Sequence, residues 1–435
     1  MVWEAPKPAA PELVPRDIVE EHASEAAFLW TLRVPAARSY AYNLGGLTEL
    51  DERIDAHLDG LLLAGTVGRD AAFAALGEPG PGEVFAATYV ALALEDMSGL
   101  ASVLDVAALA TDLAPAIPAA MGWLPMEHVQ SVVRGLLAAT DAPALQWLGL
   151  SACAAHREDP MAVLDTALSA YDVRLRARAL RLAGELGRRD RRGLLPASWY
   201  HEALECRFWA LWSSAILRDP TSGPELQRFV EEPPNEFTNL ACEAAVRILN
   251  RPVAVDWLKA LGRGSKEHVR AAIGAAGVLG DPAVVPWLIS WLGYEDYARV
   301  AAGALALITN APVEQALEGA APEGFVAGPN DDPDDEDVAA DPDEDLPWPN
   351  VDACEAWWYH HQAEFPANQR YVLGGPMLPP VLHSVLAQGH QVARAHTAIE
   401  LCMRQGGQHL FNVEAPSRFQ FQHLGIDSAS TMASP

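Results

Sequence analysis

Lysine is nearly missing from this chain: only Lys7, Lys259 and Lys266 occur in 435 residues. Acids outnumber bases by 58 to 30, for a net charge of −28. Phosphate recognition needs clustered Lys and Arg, so a nucleic-acid partner is not expected, and an anionic membrane surface is disfavoured for the same reason. No run reaches the roughly 18 apolar residues of a bilayer span. The opening text MVWEAPKPAAPELVPRDIVEEH has no basic stretch followed by an apolar one, so it does not read as a secretory signal. Cysteine is sparse and odd in number, and no CxxC pair occurs among Cys153, Cys206, Cys242, Cys354 and Cys402. The first three sit in apolar helical text, the usual setting of a reduced, buried thiol. These absences predict a soluble, cytoplasmic protein.

Catalytic signatures are missing too. GxSxG, GxxxxGK[ST] and HExxH do not appear. His201–Glu205 (HEALE) comes nearest the last and ends in Glu205 where a histidine ligand is required. Gly149–Cys153 (GLSAC) starts like a nucleophile elbow, lacks the closing glycine and lies in helical text. Seven of the 13 histidines follow residue 350, yet none stand at HxxxH spacing with a third ligand. Asp331 to Asp345 is rich in carboxylates but lacks the DxDxDG turn of an EF-hand. The expectation is no catalytic residue, no cofactor and no metal.

What the chain has in abundance is repetition. Tyr171 to Gly187 (YDVRLRARALRLAGELG), Lys266 to Leu292 (KEHVRAAIGAAGVLGDPAVVPWLISWL) and Tyr294 to Asn310 (YEDYARVAAGALALITN) share one pattern. A polar turn and one arginine lead into Ala and Leu at helical spacing, and the first two copies then break at glycine. Aligning Arg176, Arg207, Ala241, Arg270 and Arg299 gives steps of 31, 34, 29 and 29 residues. A period in that range marks stacked helix pairs. In the best copy, Ala271 to Leu279 and Val284 to Leu292 are predicted helices joined by a GDPA turn. There Asp281 caps the second helix and Pro282 opens it.

Val269 to Leu288 (VRAAIGAAGVLGDPAVVPWL) resembles a short bacterial HEAT repeat, and VRLRARALRLAGELG and ARVAAGALALI match its first half. ERIDAHLDGLLLAG, the repeats, and then RYVLGGP…VLAQGHQVARAHTAIEL are together similar to an uncharacterised bacterial HEAT-repeat family often encoded among type VI secretion genes. The resemblance implies an all-α HEAT-repeat α-solenoid with divergent N-terminal helical repeats and a mostly helical C-terminal cap. Residues 1–16 are expected to be a disordered N-terminus and 17–159 divergent helical repeats. Regular repeats occupy 160–321, an acidic disordered loop 322–350, a helical cap 351–425 and a disordered tail 426–435. The loop carries eleven acids and no base, and no Lys or Arg falls between 300 and 369. Two other roles are open to it: bait for a basic partner, or a cover over the chain's own arginines.

Functionally the resemblance implies a non-enzymatic protein-binding scaffold or adaptor, an accessory of type VI secretion, whose protein partner is a secretion component or effector. The alternative is a tetrapyrrole (bilin) lyase-like HEAT-repeat enzyme. Candidate partner-binding residues are the basic Arg174, Arg178 and Arg181 and the aromatic Trp209, Trp287, Trp291, Trp357 and Trp358. Trp and Arg are the commonest interface hot spots. Trp357, Trp358 and Tyr359 are consecutive on one helix and cannot all point inward.

Overall fold

A computed structural model describes residues 15–325, 328, 341–367 and 369–426. The two termini expected to be disordered fall almost wholly outside these residues, as does 331–340 of the acidic stretch. The described chain is mostly α-helical and all-α in character, with one two-stranded ribbon among the described residues. It divides into two compact units: one holds the described residues up to Arg188 and those from Gly407 onward, the other Arg189–Gly406.

The first unit begins with α1 (Arg16–Ala36), α2 (Leu44–Leu63), α3 (Thr66–Ala74), α4 (Pro81–Ala93) and α5 (Met97–Leu109). It continues with α6 (Ala116–Trp123), α7 (Met126–Ala138), α8 (Pro143–His156), α9 (Ala162–Ala167) and α10 (Val173–Glu185). The predicted stripe of α2 is its buried face: Leu47, Leu50, Ile54, Leu58 and Leu61 are all in the core. Asn43 caps this helix by accepting from the Gly46 N–H at 2.9 Å. α4 is apolar on every side, as a helix packed against α1, α2, α3, α5 and α6 must be. Helical spacing puts Ile18, His22, Ala26, Leu29 and Leu32 along one side of α1; Ala26 and Leu29 are fully buried, but Ile18 and Leu32 are exposed. The buried face also takes in Val19, Ala23, Ala27 and Trp30, because α2, α3 and α4 together enclose that side.

The last part of the chain completes this unit. Its end, expected to hold a hairpin or a strap, is an extended strap followed by α22 (numbered in the order of the whole chain; Ser417–Leu424), which packs on α2. The strap is held through its backbone. Leu410 donates its N–H to Glu185 O at 2.7 Å, and its carbonyl accepts from Arg157 Nε at 2.7 Å. Gly187, at φ +63°, lies beneath it, where a Cβ would come within 2.4 Å of Gln408 O. That crossing explains the glycine break of the first repeat copy. Arg33 reaches the Glu414 and Ala415 carbonyls at 2.9 Å each and pairs with Asp51, whose Oδ2 also accepts from Ser417 N–H at 2.6 Å.

Removing one partner of a buried ion pair strands the other charge. Asp51→Ala is therefore expected to destabilise this unit by about 3–5 kcal/mol. Replacing both charges, Arg33→Met with Asp51→Leu, should cost measurably less, as read by chemical denaturation.

In the second unit, α11 (Leu204–Ile216), α12 (Ser222–Glu231), α13 (Thr238–Ile248), α14 (Arg251–Leu261) and α15 (Lys266–Leu279) lead to α16 (Val285–Ile289), α17 (Ala298–Thr309) and α18 (Val313–Ala316). After the acidic stretch come α19 (Val351–His361), the ribbon β1 (Tyr371–Val372) and β2 (Gly375–Pro376), α20 (Pro379–Gln388) and α21 (Gln391–Gln405). α11, α13, α15 and α17 pack each against the next. The aligned repeat positions Arg207, Ala241, Arg270 and Arg299 all fall near the starts of these four helices.

The turn after α15 forms as its residues dictate. Gly280 closes the helix at φ +67°, and the Asp281 side chain accepts from the Ala283 N–H at 3.0 Å. The following helix is shorter than predicted, a 3₁₀ turn at Pro282–Val284 and then α16. Trp291 and Leu292 bond back three residues, to Leu288 and Ile289, so the chain tightens into a turn where Val284 to Leu292 was expected to stay helical. Tyr371 N–H bonds the Gly280 carbonyl at 2.8 Å, and a Cβ on Gly280 would stand 2.4 Å from Tyr371 O. The ribbon also closes helix ends. Arg370 Nε donates to Leu279 O at 2.6 Å, and Leu373 and Gly374 donate to Leu307 O and Ile308 O at 2.7 and 3.0 Å.

A buried charge cluster joins α13 to α21. Arg247 lies between Glu243 and Glu400, and Arg370 pairs with Glu400 at 2.7 Å. His396 Nδ1 sits 2.9 Å from an Arg247 amino nitrogen, so it accepts. Burial, then Arg247 and His390, hold His396 well below the usual histidine range. His390 caps α21 by accepting from Ala393 N–H at 3.3 Å, and burial lowers it to about 4. Protonation would remove the acceptor and place a cation at a helix N-terminus.

Between the ordinary value of 6.5 and about 4 the unfolded chain binds the His390 proton and the folded one does not. The contribution of this cap is thus complete above pH 6.5 and lost as the pH falls toward 4. Thermal melts between pH 7 and pH 5 should show a falling Tm, and His390→Asn, which caps without titrating, should flatten that slope.

Candidate functional site: an arginine and aromatic face on α15–α17

Among the eight partner-binding residues expected from the sequence, the three arginines lie on α10 in the first unit. Arg174 lies over the Trp147 ring at 3.8 Å. Arg178 is largely enclosed, its side chain 11% exposed, and pairs with Glu185, which Arg181 also meets at 2.8 Å. Burial alone would raise the Glu185 carboxyl, but Arg178, Arg181 and Arg157 bring it down to about 2. Burial lowers Arg178 to about 10, which leaves it charged at neutral pH. Its role in this arrangement is to neutralise Glu185 inside the unit, so it offers a partner little. Arg178→Ala should destabilise the protein by about 3–5 kcal/mol by leaving Glu185 buried with less compensation. Arg174→Ala should cost less than about 1 kcal/mol. Urea titration distinguishes the two.

The tryptophans lie in the second unit. Trp209 is half-buried against Phe208, Trp212 and Phe237. On α19, Trp357 stacks on His361 at 4.4 Å and Trp358 leans on Phe365, while Tyr359 is the exposed member of the three consecutive aromatics. Trp287 and Trp291 belong to something larger. Trp291 is ringed by Trp287, Tyr294 and Tyr297 at 6.0, 5.3 and 5.2 Å between centroids. All four reach the surface in part, and Tyr294 is exposed. The Trp291 indole N–H is buried with no hydrogen-bond partner among the described residues, a cost of about 1–3 kcal/mol.

This aromatic group runs directly into the repeat arginines. Tyr297 follows Asp296, which pairs with Lys266 at 2.8 Å, and Arg270 lies within electrostatic reach. Partial burial, then Asp296, push the Tyr297 hydroxyl up, against the opposing pull of Lys266 and Arg270. Arg270 takes the Asp343 carboxylate in a two-pronged contact, one arm at 2.9 Å. Arg299, one repeat later, pairs with Asp341 at 2.7 Å and donates to the Asp343 carbonyl at 3.0 Å. Its guanidinium lies 4.7 Å from the Trp348 ring and 5.2 Å from the Phe325 ring, which meet edge to face. An α15–α17 face of fixed cations flanked by large rings thus holds an acidic turn.

The stretch 322–350, expected as a disordered loop, is described over 322–325, 328 and 341–350. In the last of these Asp343, Leu346 and Pro349 are buried, because two successive repeats present an arginine at the right spacing to take Asp341 and Asp343. Of the open readings for this stretch, a cover over the chain's own arginines is the arrangement observed for 341–348. The sequence named Arg270 and Arg299 as repeat markers and gave them no role at a site. Tyr294, Tyr297, Phe325 and Trp348 were missed, and the available signal was the match between arginines 29 residues apart and an Asp-x-Asp pair.

All five cysteines are buried and free. Among the described residues no group of three or more His, Cys, Asp or Glu is placed to hold a metal ion, and no helix is long and apolar enough to cross a membrane. Comparison with protein-family models, with curated proteins and with solved structures finds no match.

Proposed function

We propose that this chain is a non-enzymatic scaffold or adaptor that binds a protein partner through the α15–α17 face. In this reading it is a HEAT-type α-solenoid and a cytoplasmic accessory of type VI secretion, whose partner is a secretion component or effector. One observation carries the proposal: Arg270 and Arg299, at equivalent points of neighbouring repeats, take one acidic segment, and Arg270 lies within electrostatic reach of Tyr297 in a partly exposed cluster with Trp287, Trp291 and Tyr294. Trp, Tyr and Arg are the residues from which interface hot spots are built. The packing of α11, α13, α15 and α17, each on the next, supports the repeat architecture. The secretion assignment rests on the resemblance of the sequence segments alone. A tetrapyrrole lyase would want accessible cysteine in a groove, and the burial of all five thiols weighs against that alternative.

The test is affinity capture with the tagged full chain in a bacterial host carrying type VI secretion genes, beside a Trp291→Ala/Tyr297→Ala variant shown to be folded. A secretion component or effector should be enriched by the wild-type chain and reduced roughly tenfold by the variant, the effect of losing one hot spot. Equal recovery by both chains, or a chromophore in place of a protein, overturns the proposal.

A further inference from the structure

The acidic segment is attached unevenly. At its far end it is pinned by backbone: Gly319 N–H bonds Trp348 O at 2.7 Å, Asn350 N–H bonds Leu317 O at 2.7 Å, and Glu318 bridges Pro349. Over 341–346 the backbone bonds given for the described residues stay within the segment, from Glu344 N–H to Asp341 O and from Leu346 N–H to Asp343 O. What holds this turn down is the burial of Leu346, the guanidinium–carboxylate pairs of Arg270 and Arg299, and the donation from Arg299 to the Asp343 carbonyl. Of these pairs Arg270–Asp343 has the more exposed guanidinium and is the more open to salt and to competing carboxylates, whereas Arg299–Asp341 is nearly enclosed and screened less. A backbone ladder is open to neither.

The same face shows what it selects. Asp341 and Asp343, two residues apart in a turn closed by the Glu344 and Leu346 N–H groups, meet arginines one repeat apart. Trp348 and Phe325 cover the Arg299 guanidinium as an aromatic side chain of a bound peptide would. Arg270 also lies within electrostatic reach of Tyr297, whose ring meets that of Trp291.

We propose that residues 341–348 are a tethered ligand: they occupy a docking face whose partner is an acidic peptide segment that presents an Asp-x-Asp pair in a turn, with a nearby aromatic residue. This proposal rests on the scaffold reading above and names its partner class. A segment of the same chain competes at an effective concentration on the order of millimolar. The closed form therefore lowers the apparent affinity for a partner in proportion to its population. A partner must match the Asp-x-Asp spacing and outcompete the tether, which makes the segment a filter on the face it covers.

The test uses the full chain and a fluorescein-labelled synthetic peptide with the sequence of residues 341–350, DPDEDLPWPN. Binding is followed by fluorescence anisotropy at low salt. Wild type should bind weakly. Asp341→Asn/Asp343→Asn, which releases the tether, should bind roughly tenfold or more tightly, as expected when a dominant closed population is removed. Trp348→Ala is a second release variant, which keeps both carboxylates and is read in the same way should the first not fold by circular dichroism. Adding Arg270→Ala to a released variant should abolish the gain, and so should raised salt. The proposal is overturned if folded release variants bind no more tightly than wild type. It is also overturned if Arg270→Ala leaves the binding unchanged, or if a scrambled peptide of the same composition binds equally well. No partner protein enters this measurement, so a failed capture leaves it standing, and its failure leaves a captured partner standing.

Discussion

The guanidinium fork is the interaction on which this structure depends. At point after point, one buried or half-buried arginine serves a carboxylate and backbone carbonyls from a distant stretch at the same time. Arg33 joins Asp51 to the Glu414 and Ala415 carbonyls. Arg251 joins Asp281 to Ala367 O, and Arg370 joins Glu400 to the carbonyl ends of α15. Arg299 joins Asp341 to Asp343 O. A lysine ammonium, strongly hydrated and without a planar fork, cannot make these two-sided contacts at comparable desolvation cost. The scarcity of lysine, first seen as composition, thus has a structural counterpart: several of the arginines here are internal connectors.

The same device explains why the glycines of the repeat are where they are. Gly187 and Gly280 each lie at a helix end in the left-handed region, and each is crossed closely by a later segment that donates hydrogen bonds to the carbonyls of the helix end. A side chain at either position would meet the crossing backbone. The repeat therefore has two functions at once: its apolar face packs helix on helix, and its open carbonyl ends receive the C-terminal stretches that close each unit.

The same elements build the α15–α17 face proposed for recognition. The helices fix two arginines one repeat apart, α16 and the turn after it add a group of four rings, and the acidic segment is seated across the arginines by charge and one buried leucine. Contacts made mainly by side chains are the exchangeable kind. A face filled in this way is sheltered from non-specific association while remaining open to a better-matched acidic segment.

Helicity, the stripe of α2, the arginine period and the turn at Gly280–Pro282 were all legible in the sequence. Each follows from spacing and local backbone chemistry within a few residues. The inner face of α1 was legible only in part: Ala26 and Leu29 are buried as their spacing predicts, but Ile18 and Leu32 satisfy the period as well as Val19 and Trp30 do. Only the positions of α2, α3 and α4 choose between them. The length of α16 was misjudged for a similar reason, since the apolar pattern continues past the point where the turn tightens. Arg178 and Arg270 look alike in the sequence, each an arginine in a repeat. Glu185 and Asp343, at 7 and 73 residues' separation, give them different work. The sequence alone determined the periodic, helix-forming text and the surplus of acid. Tertiary structure decided which arginines are internal connectors and which border an interaction face, because a guanidinium's role is set by the carboxylates and carbonyls that folding brings to it.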